Sequence, residues 1–343
     1  MKESKTVVTK RISGVDELRG LLALGIILFH YFAMGKYYGT WMTHNATSDW
    51  GSIIVYVFFI VSGICLYKSN RDITIRQFYY KRWKALYPAF YIAWVAVYII
   101  RTATTGSFNP DGASLWTIPL TIAGVDGYFL YLGPNFYLIG EWFLGAIIFL
   151  YLLYPLTLRQ FKKAPVSTLV LLFLLTVWVS MTDIFTILPA RNIICCLTGF
   201  VVGMFLGWKD TLLDNKWIVL ISGIMALILL LIPLKSIMPQ ILLILLCSSA
   251  LFLSLRFLFD HMGGGIFRVL KWLGGVSYEI FLVQHIVIII FYKYANPQNW
   301  GTSVVGAILV SLAAIVSAKL LSYVTEKMKK TKLLKKLDNN LGI

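Results

Sequence analysis

Long apolar runs constrain the fold of this sequence more than any other feature. Hydrophobic residue types make up 59% of the 343 residues, and a run of about 18 or more of them can cross a bilayer as a helix. We therefore predict an all-α, polytopic integral membrane bundle with about ten transmembrane helices. The predicted spans are 17–34, 50–67, 85–101, 137–156, 166–182, 190–208, 217–233, 237–255, 273–292 and 303–323.

The positive charges fall in a pattern that gives the topology. The net charge is +16, and Lys and Arg concentrate at both chain ends and in the even-numbered connections. The third connection, 102–136, contains neither residue type. The positive-inside rule therefore predicts that both termini are cytoplasmic. This placement argues against a nucleic-acid partner and assigns the basic tail 324–343 to anionic membrane lipid.

One membrane domain is predicted over residues 1–343, beginning with a basic segment, 1–15. The four cysteines lie inside apolar runs without metal-ligand spacing, so we interpret them as packing residues and expect no metal. Two features keep alternative interpretations. The third connection is either a binding loop or a surface loop. The segment 233–239 is either a tight turn or a re-entrant break.

The first span carries an arginine and a histidine within its apolar run, side chains that membrane helices rarely hold. Arg19 and His30 stand eleven residues apart, so a helix places them on one face, about 16 Å apart along its axis. A guanidinium suits phosphate, and a histidine suits general-base chemistry near neutral pH. A donor with a phosphate end and a distant reactive end, such as an acyl-coenzyme A, fits this spacing. A snorkelling arginine and a packed histidine are the alternatives.

Other charged residues near the membrane have similar pairs of interpretations. Glu141, in the fourth span, is either an interfacial carboxylate or a group that orients the histidine or binds sugar hydroxyls. Asp16 either caps the first helix, the favoured interpretation, or pairs with Arg19 or with a basic residue of the second connection. Arg82, near Lys84, either sets topology or makes a second contact with an anion.

The motifs of the chain, taken in order, resemble the membrane-bound acyltransferase-3 family. They read DELRGLLALGIILFH, VFFIVSGICL, FYYKRWKALYP, GEWFLGAIIFLYLLYP, LGGVSYEIFLVQH and LSYVTEK, and they cover nearly the whole chain. The sequence departs from the family pattern at three positions, one of which is the closing Glu326, one residue closer to its Ser-Tyr pair than the pattern has it. Ala85 stands where a second arginine is usual, beside Lys84. Gln284 stands where a histidine is usual, and the adjacent His285 points about 100° away on a helix.

The resemblance implies roles for the residues at matching positions. His30 is the expected catalytic base, and Glu141 is expected to support catalysis. Acyl-donor contacts are expected from Arg19, Arg82, Lys84, Ser62 and Gly63, although Ser62 is interpreted as a packing residue rather than a nucleophile. The expected supporting residues are Asp16, Ser277, Tyr278 and His285.

The resemblance also implies an activity. The chain is similar to stand-alone O-acetyltransferases, which move an acetyl group from cytoplasmic acetyl-CoA to a sugar hydroxyl of a cell-surface or extracellular polysaccharide or its lipid-linked precursor. The expected partners are acyl-CoA, a carbohydrate acceptor and membrane lipid, in a bacterial plasma membrane. Direct transfer and an acyl-enzyme route both remain open. The alternatives are a polysaccharide polymerase and a transporter or exporter, and a transporter is expected to show inverted repeats or broken helices that the sequence lacks.

Overall fold

The structure, a computed structural model, describes residues 12–37, 40–69, 73–109, 112–139, 141–295, 297 and 299–342. The basic segment 1–15 therefore lies mostly outside the described residues. The described part of the chain is all-α apart from short 3-10 turns and one isolated bridge between His44 and Asp49. Its α-helices are α1 (Val15–Met34), α2 (Trp50–Ser69), α3 (Ile75–Thr105), α4 (Ile118–Ile122), α5 (Glu141–Lys163), α6 (Pro165–Ser180), α7 (Ile193–Trp208), α8 (Lys216–Leu231), α9 (Gln240–His261), α10 (Gly265–Gly275), α11 (Ser277–Tyr294), α12 (Trp300–Lys329) and α13 (Lys332–Leu341).

Every predicted span falls on a helix or a helix pair, which confirms the polytopic helical bundle. Within the described residues, α1, α2, α3, α5, α9 and α12 are long and apolar enough to cross a membrane. The bent pair α10 and α11 adds a seventh if it forms one span. The apolar helices α6, α7 and α8 have 16 residues each. Such a helix is about 24 Å long against a hydrocarbon core of about 30 Å, so a count of ten requires the bent pair and these short helices to cross.

The helix α1 lies at the centre of the bundle. It packs against α2, α9, α10, α11 and α12, and its side chains Leu18 and Ile27 have no exposed surface. Because helices pack on several sides of α1, polar side chains on those sides face another helix or a cavity. The central helix is also the one that carries Arg19 and His30.

Four glycines allow two pairs of helices to cross with their backbones close together. A Cβ added to Gly20 of α1 or Gly274 of α10 would lie 2.0 or 1.9 Å from a carbonyl oxygen of the other helix. The same holds for Gly63 of α2 and Gly203 of α7, at 1.9 and 2.0 Å. Small residues at helix crossings are how membrane helices gain dispersion contacts without a hydrophobic driving force. These two crossings fix α10 against α1 and α7 against α2.

The sharp break in the chain lies at Val276. There, α10 and α11 are bent by 80° relative to each other across a single residue. By contrast, α8 and α9 pack against each other and are joined by residues 232–239, in agreement with the tight-turn interpretation. The break places Ser277 at the first turn of α11, beside the start of α1.

The third connection is built into the bundle. Val125 belongs to the main apolar core, and Asp126 is only 1% exposed. The hydroxyls of Tyr87 and Tyr91 on α3 donate hydrogen bonds of 2.7 and 2.6 Å to backbone carbonyls of this segment. Trp116, which is 73% exposed, projects from it. These contacts join the described part of the third connection to α3 and to the core, which argues against a loop that only rests on the surface; the binding-loop alternative stays a prediction.

Arg256 of α9 connects three segments of the chain. It is 5% exposed and donates hydrogen bonds of 3.0 Å to the carbonyls of Ser13 and Leu213. Its guanidinium also pairs with the carboxylates of Asp214 and Asp260. A buried guanidinium is tolerated only when its donors are satisfied, so this network stabilises the packing of α9 against the start of α1 and the α7–α8 connection.

Candidate active site

Arg19 lies near the start of α1 and is held by α11. Its Nη2 donates a hydrogen bond of 3.0 Å to the hydroxyl of Ser277, which donates one of 3.0 Å to the carbonyl of Gly274. The side chain is 34% exposed, and the Asp16 carboxylate lies 3.9 Å from Nη1. The bend at Val276 brings Ser277 within reach. A guanidinium fixed in this way is suited to binding phosphate.

The prediction that Asp16 caps α1 is wrong. The N-cap residue is Gly14, with a φ of +78° and no capping hydrogen bond from a side chain. Two observations favour glycine at this position. The left-handed φ disfavours other residues, and an added Cβ would lie 2.3 Å from the carbonyl oxygen of Arg256. Asp16 lies in the first turn and is 7% exposed. Its position 3.9 Å from Arg19 agrees with the pairing alternative.

His30 meets a second histidine. The ring centroids of His30 and His285 are 4.3 Å apart, with 63° between the ring planes. His285 is 7% exposed, whereas His30 is partly exposed. Its neighbour Gln284 is fully buried, and no described residue makes a hydrogen bond to its side-chain amide. His285 is therefore a residue of α11 that makes ring contact with the histidine of α1.

Two internal cavities lie at opposite ends of α1 and α2. The Arg19 cavity has a volume of about 330 Å³, and its polar lining residues include Arg19, Ser62, Arg82, Ser277, Tyr278 and Glu279. The His30 cavity has a volume of about 580 Å³, and its polar and aromatic lining residues include His30, His44, Asp49, Trp142, Arg191 and Gln240. Both volumes are in the range of small-molecule sites. The two predicted residues of the first span therefore face different cavities.

The cavities meet at three apolar side chains. Ile26, Phe143 and Phe281 line both of them, and we call these three residues the partition. The rings of Phe143 and Phe281 are 5.1 Å apart, nearly perpendicular at 72°. On α1, Ile26 lies between Arg19 and His30 and shares their helix face. The central helix thus contributes one residue to each cavity and one to the partition.

Arg82 and Lys84, the two basic residues of α3 that were predicted to contact the donor, have different surroundings. Arg82 lines the Arg19 cavity, with its guanidinium 5.7 Å from the ring centroid of Tyr151. No described residue accepts a hydrogen bond from its Nε. Lys84 does not line the cavity; its ammonium lies 2.6 Å from the carboxylate of Asp338 on α13. This hydrogen bond holds the pKa of Asp338 below its usual range. Arg82 and Arg19 share a cavity, whereas Lys84 anchors α13.

Of the remaining predicted site residues, some line the Arg19 cavity and others do not. Ser62 lines the Arg19 cavity, and the adjacent Gly63 lies in the close crossing with α7. Tyr278 also lines this cavity and donates a hydrogen bond of 3.1 Å to the Leu86 carbonyl. Glu141 is the first residue of α5, but its side chain lies outside the described part of the structure, so its predicted contact with the histidine stays a prediction.

Sequence reasoning missed several residues of both cavities. Glu279 lines the Arg19 cavity and directly follows the Ser-Tyr pair in the sequence. A carboxylate at the start of a span could have identified it as a candidate site residue. Arg191 lines the His30 cavity, 5.5 Å from the ring centroid of Trp142. Arg191 falls inside the predicted span 190–208, so it could have been identified as an ionisable residue within a membrane span. Asp49 lies in a predicted connection, where a carboxylate is common and gives no signal of a site. Among the described residues, no three His, Cys, Asp or Glu side chains group to hold a metal ion.

The fold and the site together define a class of protein. It is an all-α membrane protein whose central helix presents an arginine to one internal cavity and a histidine to another. The chain belongs to the acyltransferase-3 family, because the family profile, described as an acyltransferase domain, matches residues 12–326. No curated protein and no solved structure gives a significant match. The protein is thus a membrane acyltransferase, and these findings do not support the transporter alternative.

Proposed function

We propose that this acyltransferase moves an acetyl group from acetyl-coenzyme A to a sugar hydroxyl of a cell-surface polysaccharide or its lipid-linked precursor. One observation carries the proposal: two cavities meet at the partition, with Arg19 and Arg82 in one and His30 in the other. A soluble donor and an acceptor on the far side of a membrane need separate ways to one reaction point. A donor in one cavity and an acceptor in the other can both reach the partition.

The Arg19 cavity is the proposed donor site. The positive-inside pattern puts this end of α1 on the cytoplasmic side, where coenzyme A thioesters are present. Arg19 and Arg82 supply two guanidinium groups, which bind phosphates through charge-assisted and often bidentate hydrogen bonds. From Arg19 to Ile26, α1 rises about 10 Å. An extended pantetheine arm can cover that distance and bring the thioester to the partition.

His30 is the proposed general base, and His285 positions it through their ring contact. The sugar hydroxyl gives its proton to His30 while its oxygen forms a bond with the acetyl carbonyl carbon. The carbon–sulfur bond then breaks, the electron pair leaves with the sulfur, and the proton passes from His30 to give free coenzyme A. Direct transfer is favoured over an acyl-enzyme because both substrates can meet at the partition at the same time. Proton transfer by a positioned histidine typically accelerates such steps by about 10²–10⁴-fold.

The His30 cavity is the proposed acceptor site. Its lining combines an aromatic side chain, Trp142, with polar groups of Asp49 and Gln240, the mixture that orients a hydroxyl-rich ligand. The Asp49 carboxylate is itself held in place, because it accepts hydrogen bonds of 2.7 Å from both the amide and the hydroxyl of Ser52. A fixed carboxylate of this kind can orient a sugar hydroxyl toward His30.

Acetyl transfer by purified protein in lipid nanodiscs tests the proposal. Radiolabelled acetyl-coenzyme A is supplied with a membrane fraction carrying the polysaccharide precursors, and labelled glycan is measured together with thiol release. The variants are His30→Gln and its matched control His261→Gln, since His261 is exposed at the end of α9. We expect the wild type and the control to label glycan, and His30→Gln to lose about 10²-fold or more of the rate.

Three results would each contradict a different part of the proposal. If the wild type consumes no acetyl-coenzyme A with any membrane fraction, the donor is wrong. If the label goes to protein or lipid but never to glycan, the acceptor is wrong while the acyltransferase chemistry stands. An unaffected rate in His30→Gln would remove His30 as the base.

A further inference from the structure

The position of the partition limits where the acyl carbon can be during the reaction. A donor anchored by its phosphates at Arg19 has to extend through the partition toward His30, because the base and the proposed acceptor site lie in the other cavity. The reacting carbon is therefore expected where the cavities meet. The partition residues Ile26, Phe143 and Phe281 occupy that position.

Distances along α1 agree with this placement. The step from Arg19 to Ile26 is seven residues, or about 10 Å, and the step from Ile26 to His30 is four residues, or about 6 Å. All three side chains lie within about 40° of one another around the helix. A carbonyl carbon beside Ile26 is thus one helical turn from the base, and the chain attached to that carbon must pack among the partition side chains.

The partition has the properties of a small apolar pocket. Ile26 and Phe281 are 4% and 7% exposed, and Phe143 is confined by ring contacts with Phe281 at 5.1 Å and Phe58 at 5.9 Å. The side chains of these residues offer no hydrogen-bonding group. A charged or hydroxylated acyl chain placed there would lose its hydration without a replacement partner.

We propose that the partition is the acyl-binding pocket, and that Phe143 and Phe281 select short, uncharged acyl groups of the acetyl class. A larger acyl group collides with the two rings, and a dicarboxylic acyl group buries an unpaired charge. This inference rests on the proposed donor chemistry but adds residues that determine its specificity. Truncating either ring is expected to enlarge the pocket and shift the preference toward longer chains.

A donor panel tests the inference. Thiol release from acetyl-, butyryl-, hexanoyl- and succinyl-coenzyme A is measured as kcat/KM for the wild type, Phe143→Ala and Phe281→Ala in nanodiscs, with the membrane fraction that carries the polysaccharide precursors present as acceptor. We expect the hexanoyl-to-acetyl ratio of kcat/KM to rise about tenfold or more in both variants, with succinyl-coenzyme A poor throughout. Phe259→Ala is the matched control, because Phe259 is a buried aromatic residue of the core that lines neither cavity.

The possible outcomes separate this inference from the proposed function. If the wild type uses acetyl-coenzyme A and both truncations leave the ratio unchanged, the acyl pocket is elsewhere and only this inference fails. If the ratio rises equally in Phe259→Ala, loosened packing explains it and the inference also fails. If no thioester is consumed, the proposed donor fails and this inference falls with it. Phe281→Leu provides a milder change in case an alanine variant does not fold, and a raised ratio in it supports the pocket.

Discussion

Asp126 gives a quantitative test of how the third connection packs. Its carboxylate is 1% exposed and accepts a hydrogen bond of 2.9 Å from the Gly127 amide. Burial raises its pKa from 3.8 to about 6. Since one pKa unit corresponds to about 1.4 kcal/mol, the folded state loses about 3 kcal/mol once the carboxylate is charged. The loss is absent well below the ordinary pKa, grows as the pH rises, and is complete above about pH 6.

The substitution Asp126→Asn removes the charge and keeps an oxygen for the Gly127 amide. We expect it to leave the thermal midpoint nearly unchanged near pH 4 and to raise it by several degrees near pH 8, consistent with about 2–3 kcal/mol. The measurement is intrinsic fluorescence during heating of the detergent-solubilised protein at both pH values. Asp183→Asn is the control, because Asp183 is exposed. Equal midpoints for Asp126→Asn and wild type near pH 8 would refute the burial of a charged carboxylate in this segment.

Three further predictions concern packing and docking. Gly63→Ala is expected to lower the thermal midpoint, because the new Cβ would lie 1.9 Å from a carbonyl oxygen of α7. Such overpacking costs about 1–3 kcal/mol or more. An unchanged midpoint would show that this crossing is not tight. Arg256→Ala is expected to lower the free energy of unfolding by about 3–5 kcal/mol, because it leaves the carboxylate of Asp260 without its partner. A loss below about 1 kcal/mol would contradict the stabilising role of the Arg256 network. Lys84→Gln is expected to increase hydrogen exchange in residues 332–341, because the ion pair with Asp338 is lost. Acid is expected to do the same, because the lowered pKa of Asp338 gives a stabilisation of docking that is complete above the ordinary aspartate pKa of about 4 and is lost as the pH falls from there through the lowered pKa. Exchange that is insensitive to both changes would show that α13 is held by other contacts.

Features that depend on local periodicity were predictable from the sequence. Apolar run lengths located the helices, and the helical repeat placed Arg19 and His30 on one face of the first span. The assignment of the 16-residue helices α6, α7 and α8 was less secure, because hydropathy alone does not say whether a short apolar helix crosses the membrane. The structure keeps each of these helices at its predicted place in the chain.

Features that depend on distant contacts were not predictable. The sequence leaves open which face of α11 meets α1, because that depends on the 80° bend at Val276; the structure brings His285 to His30. The partition likewise joins Phe143 of α5 with Phe281 of α11, and no spacing rule relates residues so far apart. Gly63 was recognisable as a motif residue, yet its close crossing requires knowledge of which helix packs there.

The central claim is that α1 holds a donor anchor on one side of the partition and a base on the other. Equilibrium binding of acetyl-coenzyme A in nanodiscs, measured beside turnover, tests it most directly. The account predicts that Arg19→Ala weakens binding at least about tenfold, and that His30→Gln binds like wild type but does not turn over. Arg159→Ala, at an exposed position on α5, is expected to change neither quantity. Wild-type binding by Arg19→Ala, or loss of binding in His30→Gln, would contradict the division of the site between the two cavities.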